Sequence, residues 1–123
     1  MATLTDFYTI TSATELTEGK IIYTISINAS HAIYEGHFPN MPVTPGVVQL
    51  EIVKQLLGKT IGQEVKLSEM NSCKYLAILD PTKESIVDFE LTLTENEDGF
   101  KVNAVVKGSS VYSKIAASYE TLS

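Results

Sequence analysis

The sequence predicts an α+β fold in which an antiparallel sheet wraps around one long central helix, and three observations carry that prediction. Alternating apolar and polar residues run through Lys20 to Asn28 and again through the last third of the chain, the two-residue period of half-buried strands. Between them, residues 44–62 read as a helix whose apolar positions cover most of its circumference, and a helix of that kind is buried. A single sheet must then curve to cover it.

The elements follow in order. In "KIIYTISINAS", Ile21, Tyr23, Ile25 and Ile27 share one face and Thr24, Ser26 and Asn28 the other. The helix, "TPGVVQLEIVKQLLGKTIG", has Thr44 placed to cap it and Pro45 suited to its first turn, and it ends near Gly58 or Gly62. Its apolar residues are Val47, Val48, Leu50, Ile52, Val53, Leu56, Leu57 and Ile61. "CKYLAIL", 73–79, reads as a strand closed by Asp80 and Pro81. Val87, Phe89, Leu91 and Leu93 then alternate with Asp88, Glu90 and Thr92, and "NEDG" at 96–99 turns the chain into Phe100, Val102, Ala104 and Val106. That is an antiparallel hairpin. "KGSS" at 107–110 leads into Val111, Ser113, Ile115, Ala117 and Tyr119, completing a three-stranded meander. Without repeats, low-complexity tracts or a linker, residues 1–123 read as a single domain.

Composition narrows the function classes. A chain of 123 residues, 44% hydrophobic and 20% charged, is large enough to bury a core without staples. No run of about 18 apolar residues is present to cross a bilayer. The start, "MATLTDFYTITSATELTEGK", lacks the basic residues and apolar stretch of a secretory signal, so a cytoplasmic protein is expected. The lone Cys73 has no partner for an intrachain disulfide and reads as a small core residue. A net charge of −6, with no run of Lys and Arg, argues against nucleic acid.

The chemistry concentrates in "EGHFPNMPVTPGVVQLE", residues 35–51. Pro39, Pro42 and Pro45 recur at the three-residue period of polyproline II and push Phe38, Met41 and Thr44 toward extended geometry. A stiff loop can hold His37 in place outside regular structure; equally, the prolines can brace a long connection carrying a surface histidine. Glu51 has Val47 and Val48 one turn back and Ile52 and Val53 beside it, so an ionised carboxylate there is poorly solvated unless partnered. A carboxylic acid able to give up a proton, set beside a histidine able to take one, is the pairing of general acid–base catalysis. The alternative is a helix glutamate that reaches solvent or pairs with Lys54 or Gln55. Gly46 opens the first turn, where backbone N–H groups lack intrahelical acceptors and would polarise a carbonyl, or it simply permits a tight start to the helix. His31, Glu35 and His37 lack the spacing of a metal site, and G-x-S-x-G, Walker and G-x-G-x-x-G motifs are absent.

"GHFPNMPVTPGVVQLE" resembles the signature of the (3R)-hydroxyacyl-acyl-carrier-protein dehydratases, hot-dog proteins with the pattern G-H-F-P-G-x-P-V-x-P-G-V-x-x-x-E. The resemblance implies a hot-dog fold, with His37 and Glu51 as the catalytic pair and the Gly46 amide binding the thioester carbonyl. It also implies that Phe38 and Val47 contribute to the substrate site. No metal or redox cofactor is implied, since the substrate arrives on the phosphopantetheine of an acyl carrier protein. The further implications are a homodimer or a trimer of dimers whose sites combine residues of two subunits, and no membrane or nucleic-acid partner. Asn40 stands in place of the family's usual glycine and "KYLAILDPTKES" lacks a "PGD"; the chain is thus also similar to dehydratases of specialised pathways such as those of aryl polyenes, and the resemblance implies either fatty-acid synthesis or a pathway of that kind. A hot-dog thioesterase would share the fold but commonly places a carboxylate near the helix start without needing the histidine, and a noncatalytic acyl-binding protein would lack one of the pair. Because His37 and Glu51 are both present, dehydration of a 3-hydroxyacyl thioester is the predicted reaction.

Overall fold

Strand β1 (Tyr8–Thr17) pairs with β2 (Lys20–Ile27), a short 3-10 turn follows at Ala32–Tyr34, and α1 occupies Gly46–Ile61. Beyond it come β3 (Val65–Tyr75), β4 (Ile86–Glu95), β5 (Gly99–Lys107) and β6 (Val111–Thr121). This is a computed structural model, and it describes residues 6–17, 19–34 and 43–122. The strands form one six-stranded sheet in the order β1-β2-β4-β5-β6-β3, antiparallel throughout, with β1 and β3 at its edges.

Local chemistry explains the turns. Asn96 accepts from Asp98 N at 3.1 Å and Gly99 N at 2.8 Å, so its side chain closes the predicted "NEDG" turn. Glu84 accepts from Ser109 N at 2.9 Å and from the Tyr112 hydroxyl, tying the "KGSS" turn to the segment before β4. Gly62 ends the helix in the left-handed region at φ 71°, its N–H donating to the Gly58 carbonyl at 2.8 Å.

Packing follows the predicted alternation. Cross-strand neighbours Tyr23, Phe89 and Val106 form one buried row and Leu91, Ala104 and Ile115 another. Against them lie Val48, Ile52, Val53, Leu56 and Leu57 of α1. Each fully buried side chain of this size stabilises the fold by about 1.5–3 kcal/mol relative to exposure.

Four expectations need correction. The strand read at 73–79 ends at Tyr75 and begins at Val65, because "KLSEMNS" is an exposed edge without apolar alternation. Strand β1 was not anticipated for the same reason, since it is Thr-rich and exposed along most of its length. Helix α1 is not covered all round. The sheet buries Val48, Ile52, Val53, Leu56 and Leu57, while Val47 remains 59% exposed. Finally, Val111 is exposed and Tyr112 buried, the register shifting between Val106 and Lys107.

Candidate active site

The start of α1 is anchored differently from the sequence expectation. Pro45 is the N-cap residue, at φ −58° and ψ 147°, and among the described residues no side chain caps the helix. Thr44 is buried, and its hydroxyl hydrogen-bonds that of Tyr34 at 2.7 Å instead. Gln49 takes over the local backbone: its Nε2 donates to the Thr44 carbonyl at 3.2 Å and its Oε1 accepts from Ser113 Oγ on β6 at 2.8 Å. Thr44 N also donates to the Leu79 carbonyl at 2.9 Å. These bonds fix the helix start to the sheet.

The N–H groups of Val48 and Gln49 donate to the Pro45 carbonyl at 3.0 and 3.1 Å, leaving the first-turn amides of Gly46 and Val47 outside the helix ladder. Gly46 is the first residue of α1, and the ring of Tyr75 lies against it. A Cβ added there would sit 2.5 Å from the Tyr75 hydroxyl oxygen. The absent side chain is therefore already used by the end of β3. Tyr75 is 50% exposed; partial desolvation, and then the neighbouring Cys73, push its phenol up to about 12. It stays neutral over the ordinary pH range.

His37 and Phe38 lie outside the described residues. On either side of them, Tyr34 and Thr44 are joined by their hydroxyls, and Phe7 stacks on Tyr34 with ring centroids 5.7 Å apart. The same Phe7 meets His31 edge-on at 5.2 Å. This aromatic cluster ties β1 to the segment that precedes the proline-rich loop.

Glu51, on the second turn of α1, stands between two cavities. One, of about 250 Å³, is walled by Val47, Val48, Leu50, Leu67 and Tyr119. The other, of about 650 Å³, has a mixed lining that includes Lys54, Gln55, Gln63, Glu64, Val65 and Leu122. The Glu51 side chain is 37% exposed, with its Oε1 3.9 Å from Lys54 Nζ. The expected desolvation is thus relieved by water and by a lysine one turn on. Its charge is felt nearby: the Tyr8 phenol is raised by burial and then by Glu51, while Tyr8 Oη donates to Gln55 Oε1 at 2.7 Å. Glu51 thus has an apolar surface on one side and solvent on the other.

Of the residues singled out in the sequence, the structure brings Val47 and Glu51 to one apolar pocket and places Gly46 one turn before Glu51. Gln49, Tyr75, Leu67 and Tyr119 were missed. Gln49 carried a usable signal, as the one uncharged polar residue between Val47 and Lys54 in an otherwise apolar run. Tyr119 carried none, because an apolar alternation reads an aromatic residue as core. Among the described residues no helix is long and apolar enough to cross a membrane.

A six-stranded antiparallel sheet packed on one central helix, with a carboxylate on the helix facing an apolar pocket, places the chain in the hot-dog class. More particularly, it belongs to the ApeI-like family, described as ApeI dehydratase, which it matches over residues 13–114. It is 27% identical over 85 residues to the 3-hydroxyacyl-[acyl-carrier-protein] dehydratase FabZ of Jannaschia sp. (strain CCS1), covering 63% of this chain and 52% of that protein. The FabZ of Roseobacter denitrificans is 26% identical over 106 residues, covering 80% of this chain and 68% of that protein. That of Vibrio cholerae is 31% identical over 78 residues, with coverages of 63% and 51%. The chain thus spans about half the length of the first and last of these relatives. In fold it is similar to a chain of the dehydratase heterocomplex ApeI:P from Xenorhabdus doucetiae, with a TM-score of 0.78 at 14% identity over 91% of this chain and 96% of that one. An uncharacterized protein from Erwinia carotovora subsp. atroseptica gives 0.68 at 14% identity, covering 94% and 97%.

Proposed function

We propose that this chain, folding as one domain, dehydrates a (3R)-3-hydroxyacyl group carried on an acyl carrier protein to the trans-2-enoyl thioester, in a specialised pathway of the aryl polyene type. The observation that carries the reading is Glu51 on the wall of an apolar pocket next to the first turn of α1, in a chain of the ApeI-like family. In this mechanism the Gly46 N–H polarises the thioester carbonyl, which acidifies C2. Neutral His37 takes the C2 proton, the C3–O bond breaks, and Glu51 supplies the proton with which the hydroxyl leaves as water. Val47, on the pocket wall, lines the acyl group, and Phe38 is assigned to the same group by the family resemblance.

The site is completed by a second subunit. Strand β3 is an edge with Leu67, Met70 and Tyr75 exposed along it, which a monomer would leave unprotected. Pairing along β3 covers that edge and lets the histidine of one subunit face the acid of the other. A chain of similar fold belongs to the dehydratase heterocomplex ApeI:P of Xenorhabdus doucetiae, so a different chain is a partner to test beside a second copy.

Incubation with a panel of alkyl and aryl 3-hydroxyacyl carrier-protein thioesters, read by intact mass of the carrier, tests the reaction class. Loss of one water is expected. Loss of the whole acyl group would instead identify a thioesterase.

A further inference from the structure

We propose that the Tyr119 hydroxyl donates a hydrogen bond to the C3 oxygen of the acyl group bound beside Glu51, making Tyr119 a specificity-determining residue for 3-oxygenated chains. This rests on the reading of that pocket as the acyl site.

Tyr119 is 2% exposed, and its hydroxyl is buried with no hydrogen-bond partner among the described residues. Among the described residues four of the other five tyrosines have one, Tyr8 with Gln55, Tyr23 with Thr60, Tyr34 with Thr44 and Tyr112 with Glu84, and the fifth, Tyr75, is half exposed to solvent. An interior hydroxyl left unpaired is costly, and phenylalanine would fill the same volume without that cost. Such a group calls for an explanation, and a bound ligand that satisfies it is one.

The surroundings say what that partner must be. Tyr119 stands on β6 opposite Leu67 of β3 and Phe100 of β5. It shares with Val47, Val48, Leu50 and Leu67 a pocket of about 250 Å³ whose other polar groups are Glu51 and Lys54, themselves paired at 3.9 Å. Burial, and then the charge of Glu51, push the phenol up to about 12, so it remains a donor at any working pH. The complementary ligand is an apolar chain bearing an oxygen acceptor close to the Glu51 carboxyl. In a 3-hydroxyacyl group that is the C3 oxygen, the atom Glu51 protonates in the proposed reaction.

The test uses binding, so that it does not depend on turnover. Two amides are titrated calorimetrically into the wild-type protein: (3R)-3-hydroxyoctanoyl and octanoyl pantetheine amide, in which nitrogen replaces the thioester sulfur and leaves C2 too weakly acidic to react. The wild type should favour the hydroxylated amide by about tenfold, the discrimination expected of a site built around one hydrogen bond. Tyr119→Phe should lose about five- to tenfold of that preference while unfolding at the same temperature as the wild type or higher. If both amides bind and Tyr119→Phe leaves their ratio unchanged, the assignment of Tyr119 is wrong and the acyl site stands. A less stable Tyr119→Phe protein also overturns the assignment, since it would mean the hydroxyl is satisfied within the fold. If neither amide binds the wild type, the acyl-site reading fails and the Tyr119 assignment falls with it.

Discussion

Gln49 offers a quantitative test of how the helix start is held. Its side chain is 3% exposed and makes two bonds, to the Thr44 carbonyl at 3.2 Å and from the fully buried Ser113 Oγ at 2.8 Å. Gln49→Leu keeps the volume but strands both partners. Each buried group left without a partner costs about 1–3 kcal/mol, and allowing for some relaxation the sum is about 2–4 kcal/mol. For a domain of this size that corresponds to a fall in melting temperature of roughly 8–15 °C. Ser113→Ala alone strands only the Gln49 oxygen and should cost about 1–2 kcal/mol. The double substitution Gln49→Leu/Ser113→Ala leaves neither the orphaned hydroxyl nor the orphaned Gln49 oxygen, so it should be about 2–3 kcal/mol more stable than the sum of the singles implies. Urea unfolding of the four proteins at one fixed concentration supplies the cycle. Strict additivity would refute the claim that Gln49 links α1 to β6, and a Gln49→Leu protein as stable as the wild type would refute the burial argument altogether.

Three further outcomes follow from other parts of the molecule. Glu90 is held below its ordinary value of 4.5 by the hydrogen bond from Lys107, at 3.0 Å, and by Lys20 at 3.4 Å. Its contribution is present above the unfolded value and is lost as pH falls through the lower folded one. Glu90→Gln should therefore cost about 0.5–1 kcal/mol at neutral pH and progressively less as pH falls below the ordinary carboxylate range, and a gap between the two proteins that widens in acid would contradict this. Lys74 of β3 lies directly opposite Lys114 of β6, a local cationic spot on an acidic chain that suits an acidic carrier protein. Reversing both to Glu should raise KM for the carrier-bound substrate and spare the matching pantetheine thioester, whereas equal effects on the two would remove these lysines from docking. Co-refolding His37→Ala with Glu51→Gln chains should regenerate one intact site in each mixed dimer and recover about a quarter of wild-type activity. Mixed dimers verified by mass but as inactive as the parents would disprove the shared site.

What could be read from the sequence was whatever burial imposes as a period. The meander β4-β5-β6 was legible because Val87, Phe89, Leu91 and their partners alternate against the helix, and Asn96 and Gly99 mark the turn between them. Edge strands escape this logic: β1 and most of β3 are exposed, so nothing forces alternation on them. The helix was legible in its extent but not in its exposure, because Val47 faces a pocket rather than the sheet, and apolar composition cannot distinguish the two. Thr44 has a good capping side chain, yet a tertiary bond to Tyr34 competes for it. Tyr75 against Gly46 and the unpaired Tyr119 hydroxyl arise where distant strands meet the helix, and no local spacing encodes such meetings.

The claim that Glu51 is the acid of a 3-hydroxyacyl dehydratase is tested most directly by single-turnover intact mass of a 3-hydroxyacyl carrier protein with the wild type and with Glu51→Gln. The account predicts loss of one water with the wild type and a rate at least about a hundredfold lower with Glu51→Gln, its circular dichroism unchanged. Water loss at an undiminished rate from a folded Glu51→Gln protein, or release of the free acid by the wild type, would contradict it.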